Sequence, residues 1–261
     1  MLPVFSVTLN AQAIQLNETI ILSASPFKKN VNQDALKTFF VKEVSPIWHT
    51  AVPGTELFLL QADRGVGKDE FLLACMPDNP GDQDQILPVG SPFTDKIFST
   101  LGPSSSNPSE FITNPKKFTK YRLIGADGIT QLPEVDILGI HYIQIRKDKS
   151  DAFEHFVEEQ LHPNLTRLLP DMGLFYYKAV EGENSGSFIT IFAINSVEAR
   201  ENFWPTGGSE TDVVKNAFLP YKGLARDLGN YLVEGSYLLP ESGGAAAFFE
   251  SLKWTDFIVV K

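Results

Sequence analysis

The chain has 261 residues, 43% hydrophobic and 21% charged, the values of a folded protein with room for one or two cores. A formal charge of −10 and a pI near 4.9 disfavour nucleic acid and anionic membrane as partners, and no basic run exceeds Lys116-Lys117. The single cysteine, Cys75, excludes an internal disulfide and any cysteine-only metal site, and its apolar setting "FLLACM" marks a buried, inert thiol.

The N-terminal "MLPVFSVTLNAQA" is apolar and ends in Ala11-Gln12-Ala13, the small-residue pattern that a signal peptidase reads. Residues 1–13 are therefore taken as a signal-like segment or an N-terminal arm. The first reading implies a periplasmic or secreted protein, the second a cytoplasmic one. No later stretch reaches the 18 or so apolar residues of a membrane span.

After the arm, "ETIILSAS" reads as a strand and "NQDALKTFFVKEVSPIW" as a helix. "TELFLLQAD" and "EFLLACM" follow as strands joined by a glycine-containing turn, "FTDKIFSTL" as a second helix, and "FTKYRLIGA" as a fourth strand. The polar stretch 129–136 is a linker. The series then restarts: strand "ILGIHYIQI"; helix "KSDAFEHFVEEQLHPNLTRLL", with Ser150 or Asp151 as N-cap; strands "GLFYYKAVE" and "SFITIFAIN"; helix "ETDVVKNAFLPYKGLARDL"; strand "WTDFIVVK". Phe153, Phe156, Val157, Leu161, Leu165 and Leu168 fall on one stripe of the first of these helices. Pro46 and Pro163 are expected to kink or end the two first helices.

The two series superpose. A shift of 117 pairs Asp34-Ala35 with Asp151-Ala152, Pro46 with Pro163, Pro53 with Pro170, Leu57-Phe58 with Leu174-Phe175, Gly65 with Gly182, and Thr94-Asp95 with Thr211-Asp212. In all, 14 of 62 ungapped positions are identical, several times what chance gives. "KFTKYRLI" matches "KWTDFIVV" at a shift of 136, so the second copy carries an insertion, placed near 228–246. The domains are then residues 14–128, the linker 129–136, and residues 137–261.

The order β-α-β-β-α-β is that of the ferredoxin-like unit, a four-stranded antiparallel sheet with helices on one face. Two such α+β units in one chain can cover each other's bare faces, sheet against sheet. On this element order and duplication the chain resembles the dimeric α+β barrel superfamily, which includes antibiotic-biosynthesis monooxygenases and the NIPSNAP and EthD types. The resemblance implies an intrachain, pseudo-dimeric barrel with ligands held between helices and sheet.

Gly65-Val66-Gly67-Lys68 suggests a phosphate loop and fails the test. Asp69 follows the lysine, Ala62 stands where the first glycine belongs, and a strand rather than a helix comes next. It and 182–186 are read as hairpin turns with glycine for positive φ. His155, Glu159 and His162 share a helical face but read as a solvated surface, so no metal site is assigned.

His141 sits mid-strand, where its ring must enter a buried layer and can act as acid, base or ligand. Tyr176 and Tyr177 stand where the first copy has Leu59 and Leu60, and Trp204 stands at the position of Leu87. Polar-tipped aromatics found in one copy only suit a pocket for a flat, partly polar molecule. His49 and Trp48, near the end of the first copy's first helix, are added as ligand-lining candidates.

The expectation is a protein that binds a small apolar or aromatic molecule in the helix–sheet pocket of the second copy, without a cofactor. Two alternatives stay open. One is a cofactor-independent monooxygenase or isomerase with His141 as base and Tyr177 or Tyr176 as hydrogen-bond donor; the other is haem binding. Self-association into a homo-oligomer is left open.

Overall fold

The computed structural model describes residues 14–15, 18–24, 27, 31–68, 70–78, 110–111, 118–128, 131–132, 135–165, 169, 172–182, 184–207, 210–236 and 251–261. The signal-like segment 1–13, the second helix of the first copy, Leu168 of the helical stripe and most of the insertion lie outside them.

Eight strands carry the fold: β1 (Thr19–Ala24), β2 (Thr55–Gly65), β3 (Phe71–Pro77), β4 (Thr119–Gly128), β5 (Ile137–Ile143), β6 (Met172–Gly182), β7 (Phe188–Ile194) and β8 (Lys253–Val260). They pair antiparallel in the closed order β8-β2-β3-β1-β4-β6-β7-β5. Each half therefore has the sheet order fourth-first-third-second. The fourth strand of either half pairs with the second strand of the other. The halves do not simply face each other as two stacked sheets; their edges join and make one barrel.

Side-chain alternation sorts the core into three parts. Inward residues fill the barrel, among them Ile20, Leu60, Tyr121, Ile140, Tyr177, Ile191 and Phe257. Outward residues of the first half pack with Leu36, Phe39, Phe40, Val44 and Trp48. Those of the second half pack with Phe153, Phe156, Leu161, Phe218 and Leu228.

The helices explain themselves locally. Helix α1 (Gln33–Phe39) is capped by the Asn32 side chain, which accepts from the Ala35 amide at 3.0 Å. A π-helical turn at Phe40–Val44 leads into α2 (Ser45–Ala51). In the second half α3 (Ser150–Phe156), a π-turn at Val157–Leu161 and α4 (His162–Asn164) repeat the pattern. Both π-turns lie immediately before the helical turn that carries Pro46 or Pro163, whose missing N–H would otherwise orphan a carbonyl one turn back. The prolines thus widen the helices rather than cut them. A 3₁₀ turn at Lys147–Lys149 precedes α3 and moves the cap to Lys149, one residue before the expected pair.

The second connection of the second half holds more than the one expected helix. Helix α5 (Val197–Phe203), capped by Ser196 onto the Ala199 amide at 3.0 Å, comes first. It is followed by α6 (Asp212–Phe218), a 3₁₀ turn at Leu219–Tyr221, and α7 (Lys222–Gly229). The linker is not bare: residues 131–132 pair with residues 14–15 in a two-stranded sheet.

Both hairpin turns behave as glycine turns. Gly65, Gly67, Gly182 and Gly186 all have φ between +81° and +97°, and a Cβ on Gly182 would lie 2.0 Å from the Phe118 carbonyl oxygen. The hairpin turn expected in place of a phosphate loop thus joins β2 to β3. Among the described residues no helix is long and apolar enough to cross a membrane.

Candidate functional site

Register places four side chains in one row across the outer face of the second half. Trp254 on β8 is paired with His141 on β5, His141 with Thr190 on β7, and Thr190 with Tyr176 on β6. The His141 ring lies 5.1 Å from Phe192 and 6.4 Å from Trp254. Leu161 and Leu165 cover the row from α3–α4, Phe218 and Leu228 from α6 and α7, and Leu252 from the residue before β8. His141, Thr190 and Tyr176 are the polar groups of an otherwise aliphatic and aromatic enclosure of about 10 Å³, space for roughly one water.

The corresponding row of the first half is Ser23, Leu73 and Leu59, paired in the same way, with Phe118 at the place of Trp254 by the shift of 136 and packed on the same outer core. Its only polar member is a serine hydroxyl. The imidazole, the phenol and the stacked indole are therefore confined to the second half.

Of the sequence candidates, the structure brings together His141 and Tyr176. Tyr177 points the other way, into the barrel, and burial pushes its phenol well above the usual range. The pair His141/Tyr177 is therefore not assembled, because adjacent strand residues face opposite sides and His141 faces outward. Trp204 borders the layer, edge-on to Phe192 at 6.2 Å. Trp48 is buried in the first half's outer core, but His49 is 60% exposed, sits 3.8 Å from Glu56 and is not joined to the His141–Tyr176 row. His155 is exposed beside Glu158, whereas His162 reaches the Ala126 carbonyl. Among the described residues no three histidine, cysteine or acidic groups are placed to hold a metal.

Two open clefts flank the end of the barrel. One, of about 540 Å³, is lined by Tyr142, Val233, Leu252, Lys253 and Trp254 among others. The other, of about 810 Å³, runs past Glu70, Tyr142, Ile143, Asn184 and Ser187. Leu252 borders both the first cleft and the enclosed His141–Tyr176 space, and Ile143 borders both the second cleft and that space. Burial raises the Tyr142 phenol, with Tyr121 and Glu70 adding to the effect, and Lys253 lies over its ring at 5.6 Å.

Sequence reasoning missed a buried ionic cluster on the seam between the halves. Arg64 donates to Asp256 from Nε at 3.1 Å and Nη2 at 2.9 Å, and from Nη1 to the Trp204 carbonyl at 2.8 Å. Arg200, whose side chain is 4% exposed, holds Asp63 at 2.6 Å and Glu201 at 2.9 Å. Burial raises the Asp256 carboxyl against the pull of Arg64 and Arg200. The available signal was Asp256 itself, a lone acid in the apolar strand "WTDFIVV". Its partners are 192 and 56 residues away, which no local pattern reveals.

No protein-family model matches the chain, and no curated protein does. Solved structures do. An anthrone oxidase-like protein is 11% identical, with 95% of this chain and 94% of that one covered at a TM-score of 0.52. A candidate monooxygenase from Fusobacterium nucleatum is 8% identical, with 93% and 92% covered at 0.51. A candidate monooxygenase from Lactobacillus acidophilus is 12% identical, with 93% of each chain covered at 0.48. At such identities the first two likenesses speak for the fold. With eight antiparallel strands closed within one polypeptide and helices outside them, the chain has the fold of the dimeric α+β barrel superfamily.

Proposed function

We propose that the chain binds a small, largely apolar molecule carrying a hydrogen-bonding group in the outer layer of its second half, between His141 and Tyr176. One observation carries this reading: an imidazole, a hydroxyl and a phenol border a single apolar enclosure, and the equivalent row of the first half has nothing comparable. His141 and Tyr176 stand two strands apart, roughly 10 Å at the backbone, a span that matches the length of a one- or two-ring molecule. Enclosure makes each hydrogen bond count, because a polar group left unmatched there is costly.

The ligand enters from the open cleft past Leu252, which borders both spaces. Binding therefore requires the layer to expand, with Leu252, Leu228 and Phe218 giving way rather than the hydrogen-bonded strands. The test uses phenol and indole as probes, followed by tryptophan fluorescence from Trp254 and Trp204 and by native mass spectrometry. Leu252→Ala is expected to strengthen binding and speed it, and His141→Ala with Tyr176→Phe to weaken it at least tenfold, about 1.4 kcal/mol. Equal affinity in the wild type and in that double variant would sink the proposal.

The same row supports a second reading, a cofactor-independent oxygenase or isomerase in which His141 takes a proton and Tyr176 steadies the developing charge. It stands or falls on turnover of a hydroxylated aromatic in air, abolished by His141→Ala. Haem binding beside His141 would demand a much larger expansion than a one- or two-ring molecule, since the enclosure of about 10 Å³ lies far below the roughly 300–1,000 Å³ of ordinary ligand pockets. A Soret band on titration with haemin would favour that larger expansion.

We also infer that the two halves are copies of one ferredoxin-like unit. The support is positional: the π-turns and the positive-φ glycines Gly65 and Gly182 recur at an offset of 117, and the bulge after Lys120 recurs after Asp256 at an offset of 136.

A further inference from the structure

The barrel is held shut by two seams, β2 against β8 and β4 against β6, and these occupy equivalent positions in the halves. Their ladder partners match in kind. Gly65 faces Thr255 where Gly182 faces Thr119, Ala62 faces Phe257 where Ala179 faces Tyr121, and Leu60 faces Val259 where Tyr177 faces Leu123. Each seam bulges at the same place, after Asp256 and after Lys120. One rung differs systematically. Arg64 faces Asp256 in the first seam, and Glu181 faces Lys120 in the second. Both charges contributed by the first half are basic, and both contributed by the second half are acidic.

A third contact works through a bridge, because the second seam's next charged rung sets Arg122 of the first half against Lys178 of the second, two bases. Arg122, on β4 of the first half, is bridged by Glu154 from α3 of the second, and Glu154 also holds Lys178 at 2.5 Å. The position equivalent to Glu154 in the first half, at the offset of 117, is Lys37. If two first halves met along these edges, Arg64 would face Lys120 and Arg122 would meet Lys37. If two second halves met, Glu181 would face Asp256. Every like-with-like seam sets equal charges on one rung, where neighbouring strands stand about 5 Å apart.

We propose that these seams are an interaction surface coded by charge, by which the first half accepts a partner of the opposite code and refuses another copy of itself. The inference rests on the repeat reading above. Its chemistry is that of specificity by repulsion: the apolar rungs fit any of the pairings, and the charged rungs penalise the wrong ones. The code matters while the chain is being made, when first halves are complete before second halves exist and neighbouring chains are close. It equally disfavours dimers built of like halves among finished chains. Arg64 and Asp256 do this inside a buried cluster, where screening is weak, and Lys120 and Glu181 do it on a more accessible rung.

The experiment inverts one rung and leaves the buried cluster alone. In the double variant K120E/E181K the natural seam keeps an attractive pair, so the intrachain barrel is still favoured. The code, however, is erased. Arg64 now suits the carboxylate introduced at position 120 of another first half, and Asp256 suits the ammonium introduced at position 181 of another second half. Wild type and variant are unfolded in denaturant and refolded at a series of chain concentrations and at low salt. Association is read by light scattering, and the seams by cross-linking mass spectrometry.

The variant is expected to give several-fold more interchain species than the wild type, with cross-links between like halves, and a high-salt buffer is expected to remove the difference. Association equal to wild type at every concentration overturns the proposal, as do cross-links that join only unlike halves. Should K120E/E181K fail to refold, K120Q/E181Q carries the test: more interchain species than wild type supports the code, and the same amount overturns it. The repeat reading fails separately, through an experimental structure in which β1–β4 and β5–β8 do not superpose.

Discussion

Replacing Gly182 by alanine tests how tightly the second seam is drawn. Gly182 ends β6 with φ +97°, and a Cβ there would lie 2.0 Å from the Phe118 carbonyl oxygen and 3.0 Å from the Thr119 Cα. An unstrained carbon–oxygen contact is about 3.3 Å, so the backbone must retreat by more than an ångström. That movement loosens the Thr119–Gly182 rung, the first of the β4·β6 ladder. Gly186 supplies the control: its φ is +86°, yet nothing lies within 4 Å of its Cβ position. Both substitutions carry left-handed strain of about 1–2 kcal/mol. Gly182→Ala adds the loss of about two ladder hydrogen bonds at about 1 kcal/mol each. The expected loss is about 3–4 kcal/mol for Gly182→Ala and about 1–2 kcal/mol for Gly186→Ala. In a chain of this size the gap of about 2 kcal/mol is a difference in Tm of roughly 4–8 °C. Urea denaturation of both variants reads it directly. Equal destabilisation would refute the argument that Phe118 leaves no room.

Further outcomes follow from the same packing. Asp256→Ala leaves Arg64 and Arg200 without their shared acceptor and is expected to cost about 3–5 kcal/mol, measured by chemical denaturation; a loss below about 1 kcal/mol would show the cluster to be self-sufficient. Glu154 is opposed by burial, but its bonds to Lys178 and Arg122 prevail and hold its carboxyl below 4.5. It therefore stabilises the fold above its unfolded value, and that contribution disappears as pH falls through the lower folded value. Wild type should lose stability relative to Glu154→Gln over that acidic window, and parallel curves would count against the pairing. Cys75 is fully buried and burial raises its thiol, so a disulfide reagent should label it only at the rate of unfolding; fast labelling of native protein would contradict the packing.

Much of this was legible from residues alone. Period-two runs such as "ILGIHYIQI" and the recurrence of Asp-Ala, Leu-Phe and Gly at one offset gave the strands, the first helices and their order. Faces were less legible. Alternation says that Tyr176 and Tyr177 part company, but only the register of β5 against β7 tells which of them shares the side of His141. The same holds for His49, whose place one residue past buried Trp48 put it on the solvent side of α2. Helix α5 was overlooked because "VEARENF" presents only Val197, Ala199 and Phe203 as apolar residues, too sparse a stripe to recognise. The Arg64–Asp256–Arg200 cluster was invisible for another reason: its members meet only when the barrel closes.

That closure has a further consequence. A ring of eight strands exposes no ragged ladder of unsatisfied amides and carbonyls that a stranger's strand could extend. Strand addition to the barrel itself must therefore begin with one seam unzipping, and the rate of that opening gates it whatever the hydrophobicity of any single strand.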